Sequence, residues 1–250
     1  MAHARLSASS SERWLLCPGS VKLSAGIEGK SSVYASYGTT LHDVAAYCFK
    51  GNIDPAAILS HDSELEPVRF YLANIRAEIK RGDQVFVEQG LDVLAKQIDP
   101  DLGGTLDFAR FRHVSSELLV ADYKTGSGVN VEAEGNTQLL IYSLGVILSA
   151  RVKPKRVRLK IVQPRLPDPD KWVKEWTIPV SELMDFAGRL KQAARATREE
   201  NPEIVPGEKQ CMWCPAGEAG ICDKRVKFRP RKVAASQVAA DDMPKPKAII

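Results

Sequence analysis

The chain has 250 residues, of which 44% are apolar and 26% charged, a composition that excludes a fibrous or predominantly disordered protein. A chain of this length buries roughly 70–75% of its unfolded surface, so a core can form without disulfides, as one large domain or one domain with a small satellite. The formal net charge of +4 is too small to identify a partner by itself.

Ser9-Ser10-Ser11-Glu12 has capping-box spacing and predicts a short helix carrying Trp14, Leu15 and Leu16, which the breaker Cys17-Pro18-Gly19 ends. A second helix is predicted from about 34 or 40 to 49, with Leu41, Val44, Ala45 and Cys48 on one face, and a third over 62–80. Short, partly alternating runs then predict strands over 85–89, 104–111 and 117–124. A helix over 132–149 follows, then strands over 156–163 and 172–178 separated by a Pro-rich turn. The last helix, 181–198, places Leu183, Phe186, Ala187, Leu190 and Ala194 at helical spacing. Beyond Pro202 comes a cysteine-bearing segment, and 233–250 is Ala/Pro/Lys-rich and expected to be disordered. This order predicts an α/β fold, a central mixed sheet with helices on its faces.

The polar N-terminus has no apolar secretory core, and the longest apolar run, near 139–148, is interrupted by Ser143 and too short to span a bilayer. A cytoplasmic protein with reduced cysteines and no membrane association is therefore expected. Lys and Arg crowd 151–160 and 224–232, either as the footprint of a polyanion or as solvated stretches that aid solubility.

Asp107 closes Gly104-Thr105-Leu106-Asp107, and Asp122 and Lys124 stand two apart in Asp122-Tyr123-Lys124, on one face of a strand. If the two strands form a hairpin, the three side chains meet at one edge of the sheet. Adjacent carboxylates repel unless a divalent cation neutralises them, and an oxygen-rich site suits Mg²⁺ or Mn²⁺. A neighbouring lysine can orient a water or stabilise charge on a phosphate, which together make a site for phosphodiester hydrolysis. Charged residues idle at strand ends are the competing reading. Upstream, Gly38-Thr39-Thr40-Leu41-His42 places a histidine on a helix, as a ligand or a satisfied core residue. Downstream, Gln138 and Tyr142 share one helix face.

The ordered set GTTLH, GTLD, DYK and QLLIY resembles the RecB-like branch of the PD-(D/E)XK nuclease superfamily. That resemblance implies the superfamily's α/β core and a metal-dependent DNA nuclease, expected to be an exonuclease, in phage or mobile-element DNA processing, recombination or repair. It implies His42, Asp107, Asp122 and the Tyr123 carbonyl as metal ligands, with Glu88 as a further candidate. It assigns Lys124 with Asp107 and Asp122 to catalysis, and Gln138 and Tyr142 to the nucleic-acid side. A scaffold that binds nucleic acid or assembles without cleaving is the alternative. No P-loop is present, so no ATPase is expected, and a homo-oligomer or a recombination partner is not readable.

Cys211-Met212-Trp213-Cys214 followed by Cys222 has metal-ligand character, with Cys17 as the candidate fourth thiolate. Related nucleases hold a [4Fe–4S] cluster with one N-terminal and three C-terminal cysteines. The resemblance therefore implies an iron–sulfur lobe built from Cys17, Cys211, Cys214 and Cys222, with structural Zn²⁺ as the rival. The implied division is a core over 1–200, whose segment 1–33 lends Cys17, and a cluster segment over 201–232. Cys48 reads as a small buried hydrophobe, and Trp213 as packing on the lobe or stacking on a base.

Overall fold

The computed structural model describes residues 4–27 and 33–225, with side chains from 36 onward in the second stretch. The predicted tail 233–250 and most of the basic run 224–232 lie outside the described residues.

In chain order the elements are β1 (Leu6–Ser7), α1 (Ser11–Leu16), α2 (Gly19–Leu23), α3 (Val33–Gly51), α4 (Asp62–Ala77), β2 (Gln84–Gly90), α5 (Val93–Gln97), β3 (Leu102–Gly103), β4 (Thr105–Arg112) and β5 (Glu117–Tyr123). They continue with α6 (Thr137–Ala150), β6 (Arg156–Val162), β7 (Val173–Pro179), α7 (Val180–Ala196), α8 (Glu208–Met212) and α9 (Pro215–Glu218). Five strands form one mixed sheet in the order β2-β4-β5-β6-β7, and β1 pairs with β3 as a separate parallel pair. Within the large sheet β5 and β6 are parallel and the other neighbours antiparallel. The parallel pair needs a crossover, and α6 supplies it.

β5 occupies the centre, and every one of its residues is buried, as expected for a strand covered on both faces. Its Leu118 and Val120 face one core, which α6, α7 and the N-terminal segment close with Trp14, Leu139, Leu144, Leu183, Phe186 and Leu190. Its Leu119, Ala121 and Tyr123 face the other, closed by α3 and α4 through Leu41, Val44, Val68, Tyr71 and Leu72. Period-two alternation therefore sorts one strand between two helical layers. The predicted central mixed sheet flanked by helices is what is observed.

Local chemistry accounts for the differences from the predicted elements. The helix expected over 132–149 starts at Thr137, because the Asn136 side chain accepts the Leu139 amide at 3.1 Å and caps it there. Pro18-Gly19 ends α1 as predicted but opens α2 immediately, since proline is tolerated at a helix start. The capping box at 9–12 does not form; the Ser7 and Ser10 hydroxyls bond one another at 2.8 Å ahead of α1. β1, β3, α5, α8 and α9 are two to five residues long, too short for a periodic signal.

Candidate active site

The β4–β5 hairpin pairs Phe108 with Ala121, and one step further along this register sets Asp107 opposite Asp122. The Asp107 carboxylate is anchored through Oδ2, which accepts the Tyr123 amide at 2.8 Å. Lys124, just past the end of β5, places its ammonium 2.9 Å from Asp122 Oδ2. The buried Asp122 carboxylate is thereby paired with a cation of the chain itself.

Helix α6 supplies the next layer. Gln138 and Tyr142, one turn apart, are joined by Gln138 Nε2 donating to Tyr142 Oη at 2.9 Å. The same nitrogen donates to Asp122 Oδ1 at 3.0 Å, and Gln138 Oε1 accepts from Lys124 Nζ at 2.8 Å. One amide thus fixes a carboxylate and an ammonium together. Gly104, the first residue of the G-x-x-D run, lets Tyr142 come this close: a Cβ there would sit 3.0 Å from the Tyr142 ring.

From the opposite layer, α3 lowers His42 onto the sheet edge, with Nδ1 3.3 Å from Asp107 Oδ2. His42 also packs against the Tyr123 ring, with centroids 5.2 Å apart. Glu88 completes a trio: one ligand atom each from His42, Glu88 and Asp107 lie within 4.8 Å of one another. Glu88 sits inside β2 at φ +47°, although the pairs on either side of it, Val87 with Phe108 and Gln89 with Leu106, keep one register. A left-handed non-glycine residue in mid-strand costs about 1–3 kcal/mol. It therefore needs an external reason, and the local result is a glutamate opposite Asp107.

The electrostatics record the crowding. Burial and then the Asp107 charge push the Glu88 carboxyl up to about 7, against the pull of His42. Burial lowers His42, but Asp107 and Asp122 outweigh it and bring the imidazole to about 8, with Lys124 opposing. Burial raises Asp122, Lys124 pulls it down, and Asp107 adds to the rise. Tyr142 is raised by burial and then by the two aspartates.

Of the residues expected at the site, His42, Glu88 and Asp107 converge as potential ligands, while Asp122 pairs with Lys124 and Gln138 instead of joining that trio. Tyr123, whose carbonyl was expected as a ligand, contributes its amide to Asp107. Gln163 was missed. Buried at the end of β6, it donates to the carbonyls of Gly126 and Val129, both at 2.8 Å, and accepts the Val131 amide at 3.0 Å. It thereby shapes the loop that follows Lys124, and nothing in the local pattern distinguishes it from any other polar residue after a strand.

The basic run 151–160 does not serve this site. Arg156 and Arg158 contact Glu117, and Arg158 and Lys160 both contact Glu78 and Glu175. The strand register aligns Arg156 with Glu117 and Val162 with Tyr123, which sets Arg156 some 20 Å from the site end of the strands, while Lys160, opposite Ala121, is engaged by Glu78 and Glu175. Half of its charges hold the fold together.

All five cysteines are free thiols. Cys17 and Cys211 accept backbone amides from Val205 and Gly207 at 3.3 and 3.4 Å. Burial lowers the Arg13 guanidinium, and Cys214 and Cys17 both lie close enough to oppose that shift. The Gly19 amide donates to Glu203 O at 2.8 Å, tying the N-terminal segment to the C-terminal one. Among the described residues, no three of the cysteine sulfurs lie within 4.8 Å of one another. Cys48 is a buried member of the α3–α4 core, and Trp213 is 68% exposed, so it does not pack on the lobe as expected.

Among the described residues, no helix is long and apolar enough to cross a membrane. Residues 3–248 match a protein family described as "Protein of unknown function (DUF2800)", and the chain belongs to that family.

Proposed function

We propose that this protein is a divalent-metal-dependent deoxyribonuclease of the RecB-like PD-(D/E)XK type that acts as an exonuclease on linear DNA. The observation that carries the reading is the meeting, at one sheet edge, of the trio His42, Glu88 and Asp107 with the Asp122–Lys124–Gln138 network. These residues fit a hard cation. The donors are one imidazole and several carboxylate oxygens, a set suited to Mg²⁺ or Mn²⁺. When bound, such a cation activates water and stabilises charge on the phosphodiester.

The remaining roles belong to side chains already in place. Asp107, held by the Tyr123 amide, and His42 brace each other across the sheet edge. Lys124 is fixed between Asp122 and Gln138, so its ammonium can meet an attacking water or the developing phosphate charge without reorganising. Tyr142 occupies the second hydrogen of the Gln138 amide and so fixes its orientation. For the thiols, a [4Fe–4S] centre on Cys17, Cys211, Cys214 and Cys222 would clip the chain's two ends together. The amide-to-sulfur bonds at Cys17 and Cys211 are of the kind that support such ligands. Iron and acid-labile sulfide in anaerobically purified protein support this centre; zinc in their place refutes it.

The test of the nuclease reading is hydrolysis of end-labelled linear DNA with Mg²⁺ or Mn²⁺. Wild-type protein is expected to degrade it, and Lys124→Ala to lose at least about 100-fold in rate while keeping its thermal transition. Equal degradation by both proteins, or none by wild type, contradicts the reading.

A further inference from the structure

We propose that Arg165 is a phosphate-binding residue of this site, gripping the DNA backbone beside the scissile bond. The inference rests on the nuclease reading and extends it to a residue that no motif marks.

Arg165 lies in the segment after β6, which runs alongside the end of β5: the Lys124 amide donates to Val162 O at 2.9 Å. The backbone on both sides of it is pinned. The Gln163 amide donates to Trp172 O at 2.7 Å, and its side chain holds the 126–129 loop. On the other side Leu166 is buried, and its carbonyl accepts from Trp172 Nε1 at 2.7 Å.

The guanidinium makes two contacts of its own. It stands over the Tyr37 ring at 5.5 Å and donates to Thr125 O at 3.4 Å, one residue from Lys124. Tyr37 can reach under it because its neighbour is Gly38: a Cβ there would come within 2.8 Å of Thr125 Oγ1. The buried Glu64 nearby is engaged by the Tyr37 hydroxyl.

Charge distinguishes Arg165 from the arginines at the far end of the sheet. Arg110, Arg112, Arg156 and Arg158 all sit in ion pairs with Glu78, Asp83, Glu117 or Glu175. Among the described residues, no carboxylate stands within ion-pair distance of Arg165. A half-buried guanidinium with no anion of its own, beside a lysine at a phosphodiester site, has the geometry for a fork of hydrogen bonds to phosphate oxygens.

The experiment is fluorescence anisotropy of labelled linear DNA with the full chain in Ca²⁺, titrated over a range of salt, comparing wild type, R165A and R165K. R165A is expected to bind about tenfold more weakly. Its plot of log affinity against log salt should be shallower by about 0.9, the loss of one phosphate contact. R165K should recover the slope but not the full affinity. The rise in Tm caused by Mn²⁺ should be the same in all three, which separates lost phosphate binding from a damaged site. Wild-type affinity and slope in R165A overturn the assignment of Arg165 alone. No binding of linear DNA by wild type overturns it together with the nuclease reading. If R165A lacks a thermal transition, R165K decides: wild-type affinity overturns the proposal, and weakened binding at full slope supports it.

Discussion

At the far end of the sheet Glu78, Asp83 and Glu117 each meet arginine or lysine, whereas at the near end Glu88, Asp107 and Asp122 share one lysine and one histidine. The carboxyl groups respond in opposite directions. Burial alone would raise Glu78, but hydrogen bonds and charge from Arg158 and Lys160 hold it at about 2, and Asp83 and Glu117 are lowered in the same way. Glu88 rises to about 7 and Asp122 is raised, because burial and mutual repulsion there are not offset. One end has its charges matched within the chain, as a folding device requires. The other holds carboxylates that the chain's own cations match only in part, the pattern that the proposed cation site would account for.

The largest stability effect is expected from breaking the matched end. Arg110 is fully buried and donates to Glu117, which keeps Arg156 and Arg158 when Arg110 is lost, so Arg110→Met should cost roughly 1.5–3 kcal/mol in urea unfolding, while any metal binding at the near end persists. Relieving the unmatched end should act in the opposite sense. Glu88→Gly removes both a crowded carboxylate and a left-handed backbone strain, and should stabilise the metal-free protein by about 1 kcal/mol while weakening Mn²⁺ binding.

How far the sequence revealed this depended on the range of each interaction. Strands and long helices were legible because their apolar residues alternate or recur at helical spacing, as in β5 and α7. Period two put Asp122 and Lys124 on one strand face, with Asp107 joining them only if a hairpin formed, and period 3.6 gave the shared face of Gln138 and Tyr142. Other features depend on contacts distant in sequence and leave no local trace. The basic run 151–160 read as either a polyanion footprint or a solvated stretch, because its partners Glu78, Glu117 and Glu175 are scattered along the chain. The place of Glu88 in the trio depends on a backbone conformation that no residue preference announces. Gln163 and Arg165 come to the site only because β6 lies parallel beside β5.

The smallest expected effect is the acid response of the matched end. Glu78 is depressed below its ordinary value, so its contribution to stability is complete above about pH 4.5 and is lost as pH falls toward about 2. Urea midpoints measured at pH 5 and pH 3 should therefore fall further for wild type than for Glu78→Gln. Equal falls would show that the far-end pairs do not stabilise the fold.

The most direct measurement of the unmatched end is thermal unfolding with and without Mn²⁺, for wild type and Asp107→Asn. A cation that enters among His42, Glu88, Asp107 and Asp122 binds the folded chain alone, so Tm should rise with Mn²⁺ concentration. Asp107→Asn should unfold at or above the wild-type temperature without metal, and should show little of that rise. No Mn²⁺-dependent rise in wild type, or an equal rise in the variant, would contradict the account.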